Sequence, residues 1–220
     1  MAEDTEGMEF IASVFAGVND GVLVDVGAHN GDEAGNMSRQ LVLRGWRGIM
    51  IEPLKVAYAN LHKLYRGNKN VVCIECACSD RDGTAPFYPS LGVSTLEKAW
   101  ADECAGYWKH VTYGASYTVR LMRLDGILAE VRRVTERSWD VDYLQIDTEG
   151  HDFAVLRGMD WSHRPRVICV ETLDMMHRER HVRGVWEPDP QMHEYIVSKG
   201  YDCAILTQGG NGIYVRKGVS

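Results

Sequence analysis

Acidic side chains stand where four apolar runs of this sequence end. VLV leads into Asp25-Val26-Gly27-Ala28-His29-Asn30-Gly31, and GIMI into Glu52-Pro53. YLQI leads into Asp147-Thr148-Glu149-Gly150-His151-Asp152, and VICV into Glu171-Thr172. Gly27 lets a backbone pass close to a ligand, and a helix starting near Glu33 presents free N–H groups to an anionic group. The spacing is G-x-x-x-G, so the dinucleotide fingerprint G-x-G-x-x-G is missing. Glu52, roughly 20 residues on, is placed to accept hydrogen bonds from both hydroxyls of a ribose. Together the first two ends suggest an adenosine ligand.

The third end carries the candidate reaction chemistry. Asp147 can orient a hydroxyl or act as general base; His151 is the second candidate, since imidazole ordinarily titrates near neutrality. Glu149 and Asp152 suit helix capping as well as catalysis, and Glu171 adds an acid at the same rim. His177 and His181 stand four apart, but Arg178-Glu179-Arg180 between them is not the H-E-x-x-H zinc motif. No metal is expected; a hard divalent ion would draw on Asp147 and nearby carboxylates, with Asp174 and His177 the remaining weak candidates.

These ends imply elements that must carry them. Short β-branched runs alternate with segments of helical period, the rhythm of parallel βαβ units. Strands are expected at 22–26, 48–52, 70–78, 141–146 and 166–171, with helices at 9–15, 33–43, 54–65, 125–131, 152–156 and 191–199. In the third helix the stripe is Leu54, Ala57, Tyr58, Leu61, Leu64 and Tyr65, closed by Gly67. Strands 201–206 and 213–216, joined by Gly209-Gly210-Asn211-Gly212, must pair antiparallel. An α/β fold with a mostly parallel sheet, helices on both faces and a C-terminal antiparallel hairpin is the outline of a Rossmann-like class I methyltransferase rather than of a dehydrogenase.

Between Gly83 and Arg123 the rhythm breaks. Two strand-like pieces, 85–88 and 117–122, enclose about 28 residues rich in Gly, aromatic and hydroxyl side chains, as in a lid or binding loop. Trp100, Tyr107, Trp108, Tyr113 and Tyr117 either form a stacking wall for a sugar face or pack a small core beneath the loop. One domain over 1–220 is expected, with a helical lead-in at 1–20 and an inserted segment at 84–123.

Composition narrows the partners. The 24 Lys and Arg against 31 Asp and Glu leave a net charge of −7, which disfavours extended binding to a phosphate backbone. The N-terminus lacks the basic flank and apolar run of a secretory signal, and no window approaches the roughly 20 apolar residues of a membrane span. A cytoplasmic chain is expected, or a domain of a larger protein, with six reduced and mostly buried cysteines. Cys73-x-x-Cys76 falls mid-strand, not at a redox turn.

The ordered blocks VDVGAHNG (24–31), IEP (51–53), ACSDRDG (77–83), GVSTL (92–96), RLD (123–125), YLQIDTEGHDFAVLRG (143–158) and VICVE (167–171) resemble the FkbM family of S-adenosylmethionine-dependent methyltransferases, over about 22–216. The I-D-x-E-G-x-x-x-x-V-L-x-G string is the most specific part. The resemblance implies O-methylation, a sugar hydroxyl first among acceptors, or a non-sugar natural product. It implies that Asp25, Gly27, His29, Asn30 and Gly31 hold the methionine end of the cofactor, Glu52 with Pro53 the ribose, and Cys76 and Ala77 the adenine edge. Asp147 and Glu149 then lie near the transferred methyl, and Ser94, Thr95, Trp100 and Tyr117 beside the acceptor. His29 stands where the family commonly has asparagine. The rivals are a nicotinamide dehydrogenase, against which the missing glycine fingerprint speaks; a base-amino methylase, which lacks its N-P-P-Y motif; and a silent cofactor-binding module.

Overall fold

The computed structural model describes residues 5–32, 36–162, 164–172, 181–182, 185–186 and 188–218. β1 (Val22–Val26) is buried at every position, so both its faces are covered. It pairs in parallel with β2 (Arg47–Ile51) on one side and β7 (Tyr143–Ile146) on the other. β3 (Val71–Ile74), β8 (Val167–Glu171), β11 (Tyr201–Leu206) and β12 (Asn211–Arg216) complete seven strands in the order β11-β12-β8-β7-β1-β2-β3. β12 runs antiparallel to both β8 and β11, as the Gly/Asn turn requires. The chain winds outward from β1 through β2 to β3, then resumes at β7 and winds the other way. The switch leaves a crevice beyond the carboxyl ends of β1 and β7, where open α/β sheets bind ligands.

Each face of this sheet is covered by its own helices because alternate strand residues point to opposite sides. One core joins Leu23, Met50, Tyr143 and Ile213 to α1 (Thr5–Val14), α2 (Met37–Leu43) and Leu61 of α3 (Lys55–Leu64). The other joins Val24, Ile49, Leu144 and Ile168 to α5 (Leu124–Thr135), α6 (Asp152–Arg157) and α7 (Pro190–Ser198). Just past α1, Phe15 is fully buried, edge-on to Trp46 at 4.9 Å. Burying such a ring stabilises by about 2–3 kcal/mol, so the lead-in is part of the core.

The structure departs from expectation in four elements. Residues 70–78 are not one strand: β3 ends at Ile74, and Ala77–Cys78 form β4 of a separate three-stranded sheet, β4-β6-β5. Cys76 therefore sits at the crossing between sheets, not mid-strand. β5 (Gly83–Phe87) and β6 (Tyr117–Met122) pair antiparallel, and the excursion between them holds the helix α4 (Lys98–Tyr107). α2 begins at Met37, capped by the Asn36 side chain on the Arg39 amide at 2.7 Å, so its N-terminus lies beyond the Gly27–Gly31 turn. Leu64, expected in the α3 stripe, is 40% exposed, whereas Ala57 and Leu61 are buried. Among the described residues no helix is long and apolar enough to cross a membrane.

Candidate active site

At the switch point the exits of β1 and β7 touch. Gly27 has φ +87°, and a Cβ there would lie 1.8 Å from the Asp147 carbonyl oxygen, so no side chain fits. The Gly27 and Ala28 amides both donate to Ile51 O at 3.0 Å, and the Asp147 amide donates to Val26 O at 2.9 Å. These bonds hold the β1 and β7 exits together and carry the turn over the end of β2. There Glu52 is buried, with Oε2 accepting from the His29 amide at 2.8 Å and Oε1 from the Leu54 amide at 2.6 Å. His29 takes a left-handed conformation (φ 45°) to aim that amide, a strain of the kind found at binding sites. Asn30 bridges to the Asn60 amide on α3 at 3.1 Å.

Glu52 faces a cleft of about 740 Å³, mouth included. Val26, Ile51, Leu54, Phe87 and Leu96 supply apolar walls; Cys76 and Ala77 line it from the sheet crossing; Ser94, Asp147, Glu149 and His151 lie at its other end. An apolar slot with a fixed carboxylate at one edge suits an adenosine: rings between the walls, ribose hydroxyls on Glu52. A carboxylate offers about four acceptor positions, and the two backbone amides fix its orientation. Burial pushes the Cys76 thiol up to about 12, so it serves as a neutral wall.

A second cleft of about 920 Å³ opens on the other face of the sheet, beneath α1. The two share Gly27, His29 and Asp147. Asp147, exposed at the rim, is the acidic side chain common to both.

The chain matches the methyltransferase FkbM domain family over residues 25–203. The chain belongs to that family. The methyltransferase sdnD of Sordaria araneosa is 28% identical over 204 residues, covering 82% of this chain and 73% of that protein. The crystal structure of the methyltransferase FkbM from Methylobacillus flagellatus KT aligns with TM-score 0.52 at 13% identity, over 90% of this chain. This chain spans only 44% of that one, and the likeness is one of fold, a class I methyltransferase fold.

The family's most specific string, 146–158, builds the turn after β7. The Asp152 side chain accepts from the Thr148 amide at 2.9 Å and the Gly150 amide at 3.2 Å, so it closes the turn before α6 instead of capping the helix. Gly150 has φ +89° and lies under Trp100, whose ring a Cβ would meet at 2.7 Å; a Cβ on Gly158 would meet Ser79 O at 2.2 Å. Both glycines of the string are thus explained by close approach. Glu149, also left-handed at φ 55°, accepts from Trp100 Nε1 at 3.3 Å. Burial, then Asp147 and Asp152, push its carboxyl well above the ordinary glutamate range. Burial and the neighbouring acids raise Glu171 too, and its Oε2 has no hydrogen-bond partner among the described residues.

His151 is engaged at both ring nitrogens: Nδ1 with Glu97 Oε1 at 2.6 Å and Nε2 with Ser79 Oγ at 3.0 Å. His151 thereby ties the inserted segment to the residue after β4 and to the turn after β7. Ser79 and Glu97 were not singled out from sequence. Ser79 lies inside the ACSDRDG block, but nothing in the chain's local pattern marks Glu97.

The inserted segment resolves the choice between wall and small core for most of its rings. Trp100 and Cys104 are buried, and Trp108, Val111 and Tyr113 pack on them. Tyr117 meets Phe87 edge-on at 5.7 Å and holds Pro53 O through its hydroxyl at 3.4 Å, buttressing the Glu52 turn. Thr95 is buried, donating to Glu149 O at 2.7 Å. Of the four side chains assigned to the acceptor, Ser94 lines the first cleft; Thr95, Trp100 and Tyr117 support it from behind. Asp174 and His177 lie outside the described residues. Among the described residues no three His, Cys, Asp or Glu side chains converge on a metal site.

Proposed function

We infer that this domain transfers a methyl group from S-adenosylmethionine to a hydroxyl oxygen, with a sugar hydroxyl as the acceptor. The observation that carries the reading is the position of Asp147, a carboxylate at the point where the adenosine-shaped cleft and its neighbour meet. Glu52 would hold the ribose, Cys76 and Ala77 the adenine edge, and the Gly27–Gly31 turn the methionine end. When bound, the cofactor supplies a methyl group already activated by the sulfonium.

The chain then has two tasks. It holds the hydroxyl beside the methyl donor, and such positioning is worth several kcal/mol. The Asp147 carboxylate accepts the hydroxyl proton, worth a further factor of roughly 10² to 10⁴. Asp147 is exposed at the rim, whereas burial raises the carboxyls of Glu149 and Glu171, which supports Asp147 as the base. The six free cysteines fit a reducing compartment and support a cytoplasmic location.

Asp147→Asn is the test. It is expected to bind S-adenosylhomocysteine in calorimetry as the parent does and to lose at least about 100-fold in turnover. Undiminished turnover would falsify the assignment, and cofactor binding without methyl transfer to any hydroxyl acceptor would make the domain a binding module.

A further inference from the structure

Residues 92–97, which lead into α4, have two sides. Gly92, Ser94 and Leu96 line the first cleft, where they wall the slot assigned to the nucleoside. Thr95 and Glu97 bond the other way, to the turn that follows β7. The Thr95 hydroxyl donates to Glu149 O at 2.7 Å and accepts from the Glu97 amide at 2.9 Å, while the Glu97 carboxylate meets His151 Nδ1 at 2.6 Å. The backbone of Thr95 is fixed separately, its N–H and C=O pairing with Tyr88 at 3.1 and 2.9 Å.

The turn needs such a hold. Glu149 and Gly150 are consecutive left-handed residues, φ 55° and 89°, and at Glu149 that conformation is unfavourable because the residue carries a Cβ. Asp152 secures one side of the turn through the Thr148 and Gly150 amides. On the other side the contacts come from the inserted segment: Thr95 on the Glu149 carbonyl, the Trp100 ring over Gly150, and the Trp100 N–H on the Glu149 carboxyl at 3.3 Å. Asp147 stands just before this turn with its amide tied to Val26 O, so the path of the chain beyond it is set by 149–151. Thr95 is fully buried, and the single proton of its hydroxyl goes to Glu149. One short stretch thus touches the cleft with one set of side chains and the turn with the next.

We propose that Thr95 is a positioning residue, which couples occupancy of the first cleft to the placement of the turn that carries Asp147. A nucleoside seated against Ser94 and Leu96 keeps the stretch in place, and the Thr95 hydroxyl passes that constraint to Glu149. The proposal rests on the reading of the first cleft as the nucleoside site and of Asp147 as the base. Local opening of the stretch frees wall and turn together, and a ligand that binds only the closed form suppresses that opening as it saturates. The inserted segment then serves the chemistry from behind the cleft.

The experiment follows hydrogen exchange at the Glu149, Gly150 and His151 amides, without ligand and with S-adenosylhomocysteine at about 100 times the Kd that calorimetry gives for each protein. In the parent, the ligand is expected to slow exchange in the turn at least about tenfold. Thr95→Val keeps the shape of the side chain and removes its hydroxyl. It is expected to bind S-adenosylhomocysteine yet gain less than about twofold protection in the turn, and Thr95→Ser to restore the parent's response. A residue that served stability alone would shift exchange in the free protein and leave the response to ligand intact, as would a ligand that protects the turn by direct contact. The proposal is overturned if Thr95→Val shows the parent's protection, if Thr95→Ser does not restore it, or if the parent's turn does not respond to bound ligand. Should Thr95→Val not fold, Trp100→Phe carries the comparison, because it keeps a ring over Gly150 and removes the N–H to Glu149. At least about a threefold drop in protection is then expected, and full protection overturns the proposal. A parent that binds no S-adenosylhomocysteine defeats the cofactor reading itself, and the coupling with it.

Discussion

Where β2 ends, Glu52 has both carboxylate oxygens bonded to backbone amides, at 2.8 and 2.6 Å; where β7 ends, Glu149 meets one indole N–H at 3.3 Å and has Asp147 and Asp152 as neighbours. Both are glutamates at the rim of one sheet. Backbone amides are fixed donors, and two of them hold a buried carboxylate in place as an acceptor. At Glu149 the surroundings are apolar and acidic, so the neutral acid is favoured. The same residue type thus serves as a fixed acceptor at one end of the site and, at the other, as a strained wall whose neutral form is favoured.

One substitution made at each place turns this contrast into a measurement. Glu52→Gln puts an NH2 where a backbone N–H needs an acceptor. It is expected to cost about 2 kcal/mol in urea denaturation and to weaken S-adenosylhomocysteine binding at least tenfold. Unchanged affinity in a folded variant would show that the ribose lies elsewhere. Glu149→Gln keeps an acceptor for Trp100 and removes the ionisation.

A carboxyl with a raised folded-state pKa stabilises fully below its unfolded value, about 4.3, and that contribution is lost as pH rises through the folded value. The Glu149→Gln variant should therefore have a higher Tm than the parent at pH 8 and gain nothing at pH 4. A lower Tm at pH 8 would mean that the carboxylate is ionised and paired.

The smallest effect is expected at Glu97. The hydrogen bond from His151 is the main cause lowering its carboxyl below the ordinary value. Its contribution is present above the unfolded pKa and lost as pH falls through the lowered folded one. Glu97 is half exposed, so Glu97→Gln should cost less than about 1 kcal/mol at pH 7, the difference vanishing in acid. A 100-fold loss of turnover would instead place the Glu97–His151 pair in the chemistry.

The rim of the first cleft was readable because its signals are local. Gly27, Glu52 and the 146–158 string are short runs attached to strands, and strand ends are where an α/β sheet places its ligands. The β4-β6-β5 sheet was not readable, since a two-residue strand such as Ala77–Cys78 has no periodicity of its own. Nor was α4, whose weakly amphipathic sequence buries Trp100 and Cys104 against Trp108, Val111 and Tyr113, with Gly150 under the Trp100 ring.

From residue types and spacing alone came the parallel sheet with its antiparallel close, the glycine turn after β1, the acid after β2 and the candidacy of Asp147. Each depends on neighbours a few residues away or on the alternation that binary patterning imposes. Tertiary structure decided what depends on partners far along the chain. Both nitrogens of His151 are taken by Ser79 and Glu97, 72 and 54 positions away. Trp100 packs as core instead of forming a wall, and Gln145 of β7 and Asn211 of β12 line one cleft under α1. A side chain's role follows from what its polar atoms touch, and those contacts are made only when the sheet closes.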